Sequence, residues 1–157
     1  MNVGFSDEQD DPLESAQAEW LVDLATRVLV AEGLDDDTHC GLAFVGPDDM
    51  ARLNQDAMGR NGPTDVLSFP LEDAVPGSPP MPTSGGPPIH LGDVVVCPSV
   101  VRANAAAAGV PFEDELALMV VHGMLHLLAY DHVDDADAER MEDRERELLA
   151  AAGRVRP

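Results

Sequence analysis

Two histidines one helical turn apart, inside an otherwise apolar run, constrain this chain more than any other feature. The run extends from Leu116 to Leu128 and holds His122 and His126. Leu116, Met119, Val120 and Gly123 fall on one side of a helix predicted over 111–128; Ala117, Val121, Leu125 and Leu128 fall on another. A helix that is apolar nearly all round belongs at the centre of a protein, with other elements packed about it. An i, i+4 pair projects from one face, so both imidazoles can aim at one point. A third histidine, His132, follows Tyr130-Asp131, where the helical pattern fades and the chain can bend back.

Three neutral imidazoles leave one tetrahedral position open, the usual arrangement of a catalytic zinc; a structural zinc normally has four protein ligands. His122, His126 and His132 are therefore the predicted metal ligands, with one zinc per chain. Zinc suits the set, and nickel, copper or iron would also fit it. The spacing matches the H-E-x-x-H-x-x-G-x-x-H signature of zinc proteases at all but two positions. The protease glutamate, its general base, is replaced by Gly123, and the protease glycine by Ala129. Without that carboxylate, peptidase chemistry loses its proton acceptor. An alanine in the left-handed turn expected at position 129 costs about 1 kcal/mol.

The net charge of −21 disfavours broad contact with any nucleic acid or an anionic membrane, and neither a DNA nor a membrane partner is expected. All nine basic residues are arginine, which excludes Schiff-base lysine chemistry and a P-loop lysine. The acidic start lacks the basic and apolar segments of a signal peptide, and no apolar run approaches the ~20 residues that span a bilayer. A cytoplasmic protein is expected. Cys40 and Cys97 show no C-x-x-C pattern and read as idle or buried thiols.

Residues 1–12 read as a disordered acidic tail, and 13–157 as a single domain. Helices are expected over 13–32, from Pro47 through Met50, Leu53 and Asn54, over 99–108, over 111–128, and from Asp134 or Asp135 to 151. Strands are expected over 40–45, 65–69 and 91–97. Residues 72–90 crowd proline and glycine together and read as an exposed loop. The fold class is α+β: a small mixed sheet of about four strands, packed on helices around the central histidine helix.

The histidine segment is the last of three that follow one another in order. They are Leu53-Asn54 followed by Pro63-Thr-Asp-Val-Leu-Ser-Phe-Pro70, then Leu91-Gly-Asp-Val-Val-Val-Cys-Pro98, then Glu115 through His132. In order and spacing, across about 42–149, the chain resembles the YbeY family of bacterial rRNA maturation factors, which are zinc-dependent endoribonucleases of mixed α/β fold. The resemblance implies that His122, His126 and His132 hold the zinc. It also implies single-strand-specific cleavage in 16S rRNA maturation and ribosome quality control, with ribosome or ribosome-assembly partners. Two departures stand out. The family's usual glycine is Ala129, and its Tyr-Arg pair after Leu53-Asn54 is Ala57-Met58, with Arg60 at the following lysine position. Arg60 can serve the phosphate in place of the missing arginine, or be an ordinary solvated loop residue.

No catalytic group is identified beyond the zinc-bound water, with Arg60 the candidate side chain and Arg52 and Arg102 possible assistants. Asp93 and Asp131 are each read as either an acceptor that orients a histidine or a local capping group. Asp65 and Ser68 read as local turn and strand bonds, His39 and His90 as solvent-facing loop residues, and Trp20 and Tyr130 as too isolated for base stacking. A second functional class stays open: a ribosome-assembly binding factor with a structural zinc and little nuclease activity. A third, a peptidase or amidase, is disfavoured by Gly123.

Overall fold

A computed structural model describes residues 1–157. Four strands and five helices run in the order β1 (Asn2–Asp7), α1 (Ser15–Ala31), β2 (Thr38–Phe44), α2 (Pro47–Met58), β3 (Val66–Pro70), β4 (Ile89–Val96), α3 (Pro98–Ala108), α4 (Phe112–Leu127) and α5 (Asp135–Ala151). The sheet order is β1-β2-β4-β3; β1, β2 and β4 run parallel and β3 runs antiparallel to β4. The α+β mixed sheet expected from sequence is the one present.

The N-terminal expectation fails. Asn2–Asp7 is not a disordered tail but an edge strand, in register with His39–Phe44 of β2. Val3 packs against the core and the Phe5 ring lies 5.7 Å from Phe44, so two alternating apolar residues suffice once a sheet edge is available to pair with. Asp7 then organises the exit from the strand by accepting from the Leu13 N–H at 2.8 Å.

Helix α4 is the structural axis. It touches α1, α3, α5, β3 and β4, and its residues Leu116 to Val121 are all buried. The main core joins α4 to Leu21, Leu24, Val28 and Leu29 of α1, Leu42 and Phe44 of β2, and Val94 and Val96 of β4. A smaller cluster on the opposite sheet face joins Met50 of α2 to Leu67, Val95 and Cys97. Punctuation residues set the ends of the connecting helices. Pro47 and Pro98 sit in the first turns of α2 and α3, and Gly59 and Gly109 close them in left-handed conformation.

The 72–90 segment has no regular structure apart from the start of β4 and an isolated bridge between Val75 and Ser78. No helix is long and apolar enough to cross a membrane. Both cysteines are buried and free; burial, with Asp93 adding to it, pushes the Cys40 thiol up to about 11.

Candidate metal centre

The site begins at the end of α4. Ala129 has φ 69°, the only left-handed residue that is not glycine. The Tyr130 N–H donates to Leu125 O and the Ala129 N–H to His126 O, both at 3.1 Å. This pair of bonds is the Schellman motif with alanine in the glycine position. It turns the chain back sharply, which is how His132, six residues beyond His126, reaches the pair on the helix. Tyr130 locks the turn: its hydroxyl donates to Glu32 at 3.0 Å, and Arg144 of α5 donates to the other Glu32 oxygen at 2.5 Å.

The three histidines converge as the spacing predicts. Their ring-nitrogen ligand atoms all lie within 4.8 Å of one another. His122 Nε2 and His126 Nε2 are 3.0 Å apart. Zinc at the usual Zn–N distance, in tetrahedral geometry, needs nitrogens roughly 3.3 Å apart. The observed spacings bracket that value, so the donor set fits the ion. His122 and His126 are half-buried and His132 is exposed, which leaves one side of the centre open. Burial, then the neighbouring His122 and His132, hold the His126 pKa below its ordinary value, so this ring stays a neutral donor to lower pH.

Gly123 faces the sheet. A Cβ there would lie 2.5 Å from Val94 Cγ1 and 3.1 Å from Val66 Cγ2. The position that carries the general base in zinc proteases is therefore a packing contact in this fold. Ser68 does more than the sequence reading gives it: it pairs with Val94 in the β3–β4 ladder, and its hydroxyl also donates to Gly123 O at 2.9 Å. Asp65 does act locally, accepting from the Val66 N–H at 2.8 Å.

Several other candidates lie elsewhere. Asp93 is exposed on the far face of the sheet beside Gly41, away from the histidines, because a β-bulge with Gly92 at φ 117° shifts the register there. His39 and His90 are not loop residues: they pair in register on β2 and β4, with ring centroids 5.2 Å apart. Asp131 accepts from the His132 N–H at 2.8 Å and so fixes the turn. Arg52 is paired with Asp49, and Arg102 lies over the Phe112 ring at 3.9 Å. Arg60 is exposed. Its loop is tied down by the buried Asn54, whose side-chain amide donates to Gly62 O at 2.9 Å.

Sequence reading missed Glu145. It is 1% exposed, its Oε1 lies 3.2 Å from His122 Nδ1, and its Oε2 accepts from Arg156 Nε at 3.2 Å. Burial raises its pKa, but the His122 contact and Arg156 outweigh burial and hold it below the usual carboxylate range. A signal was available: Met141, Glu145, Leu148 and Leu149 share one helix face, and a lone carboxylate on an apolar stripe needs a partner.

A buried helix with an i, i+4 histidine pair, completed by a third histidine from the turn after it, defines a small α+β protein with a metal-type centre of zincin spacing. Within that class the chain belongs to the endoribonuclease YbeY family, whose profile matches residues 4–153. It is 37% identical to the endoribonuclease YbeY of Corynebacterium aurimucosum, over 96% of this chain and 78% of that protein. It is 35% identical to that of Halalkalibacterium halodurans, over 98% and 95%. With that of Micrococcus luteus it shares 51% over a shorter stretch, 59% of this chain and 56% of that protein. A Thermotoga maritima protein of known solution structure matches at a TM-score of 0.60 and 28% identity, over 95% of this chain and 90% of that one.

Proposed function

We propose that this chain is a zinc-dependent, single-strand-specific endoribonuclease acting in 16S rRNA maturation and ribosome quality control in the cytoplasm. The observation that carries this reading is the convergence of His122, His126 and His132 at the open end of α4, in a chain that belongs to the endoribonuclease YbeY family. Zinc, when bound, supplies Lewis-acid polarisation of a phosphoryl oxygen and an activated water at neutral pH. Three neutral imidazoles add no negative charge of their own, so a phosphate can approach the centre. Gly123 places no carboxylate beside it, which separates this chemistry from that of the proteases.

Arg60 is the side chain best suited to the phosphate, since Met58 occupies the family arginine's place. It is exposed, its loop is anchored by Asn54, and its guanidinium forms no ion pair. Six of the nine arginines (Arg27, Arg52, Arg144, Arg146, Arg154 and Arg156) are tied to carboxylates. No basic groove is left to track an RNA backbone. Affinity for free RNA is therefore weak, and docking to the ribosome or a ribosome-assembly protein supplies the missing affinity through proximity.

Filter binding over a salt series, paired with cleavage rates, tests this. The slope should be shallow, at about 0.7 per phosphate contacted on a single strand. Arg60→Ala should reduce cleavage more than binding. A slope equivalent to about six contacts would contradict the weak-docking account. Binding with no cleavage by zinc-loaded protein would instead favour an assembly factor whose zinc is structural.

A further inference from the structure

We infer that Glu145 is a positioning residue for the metal centre. It fixes His122 in the tautomer whose Nε2 is free to ligate, and Arg156 stabilises it as a buried anion. This deepens the three-histidine zinc reading above and rests on it.

An ionised carboxylate can only accept hydrogen bonds. Glu145 Oε1 faces His122 Nδ1 at 3.2 Å, so Nδ1 carries a proton, and in the neutral ring Nε2 is then bare. That same Nε2 faces His126 Nε2 at 3.0 Å, on the side where the three rings meet. The His122 ring is thus already turned toward the metal position, with its tautomer set by a carboxylate on a different helix. Outer partners of this kind orient metal ligands and raise their basicity.

A carboxylate 1% exposed needs a second partner, and the chain folds back to supply one. Gly153, at φ 77°, ends α5, with Gly153 N–H bonded to Ala150 O and Arg154 N–H to Leu149 O. This is the same helix-ending turn that returns His132 after α4. Here it brings Arg156 back along α5 to donate to Glu145 Oε2 at 3.2 Å. Arg154 pins the returning segment through Asp114 at 2.7 Å and lies over the Trp20 ring at 4.6 Å.

The first test needs no variant. In the metal-free protein at alkaline pH, where the ring is neutral, ¹⁵N ring shifts should place the His122 proton on Nδ1. A proton on Nε2 would overturn the inference. The second test is zinc affinity by chelator competition. Glu145→Ala should bind zinc about ten- to a hundredfold more weakly. Glu145→Gln keeps an acceptor for Nδ1–H and should recover most of the loss. An unchanged affinity in Glu145→Ala would also overturn the inference. If the unaltered protein takes up no zinc at all, the underlying zinc reading fails, while the tautomer result still decides the role of Glu145.

Discussion

Replacing His126 with alanine is expected to remove most of the bound metal. Purified protein should hold about one zinc per chain, because three imidazoles converge within 4.8 Å. His126 is the ring whose Nε2 faces that of His122. Without it, two nitrogens remain, and zinc sites require at least three protein ligands. Elemental analysis of the variant measures this directly, and full occupancy would refute the ligand set. The same ring gives the metal-free protein a pH dependence. Its pKa is 6.5 ordinarily and lower in the fold. A depressed value means that the folded state disfavours the proton. The stability tied to neutral His126 is therefore complete above 6.5 and is lost as pH falls toward the folded value.

Introducing the protease glutamate at Gly123 is expected to damage the fold rather than create a peptidase. A Cβ alone would press on Val94 at 2.5 Å, and β-branched strand residues have little room to yield. Overpacking of this kind costs about 1–3 kcal/mol. A carboxylate buried there without a partner would add several kcal/mol more. Together these approach the ~5–15 kcal/mol that holds a typical domain folded. Urea denaturation of metal-free Gly123→Ala and Gly123→Glu should show a moderate loss and a near-complete loss of the folded state, respectively. Wild-type stability in Gly123→Glu would contradict the packing role.

The histidine helix and its site were readable because their signals are local. Apolar residues on every face marked α4 as central, and i, i+4 spacing marked the pair. Ala129 was expected in a left-handed turn and adopts one. What stayed hidden depends on partners distant in sequence. Strand β1 exists only through its pairing with β2, and two apolar residues among acids give little period to read. The Ser68 contact with Gly123 crosses 55 residues, so no window along the chain contains both. The two readings of Asp93 could not be separated from sequence, because the bulge at Gly92 that turns it to the far face shifts the alternation of side chains. Glu145 looked like one acid among many on α5, although its helical phase put it on the buried stripe.

The central claim is tested most directly by following metal content and RNA cleavage on one preparation. Chelator-stripped protein would be titrated with zinc and assayed at each point on single-stranded and duplex rRNA fragments. Cleavage should be absent without metal, rise in step with occupancy to a plateau at about one zinc per chain, and be confined to the single strand. His126→Ala should stay inactive at the same zinc concentrations. Full-rate cleavage by the stripped protein, or by His126→Ala, would contradict the account.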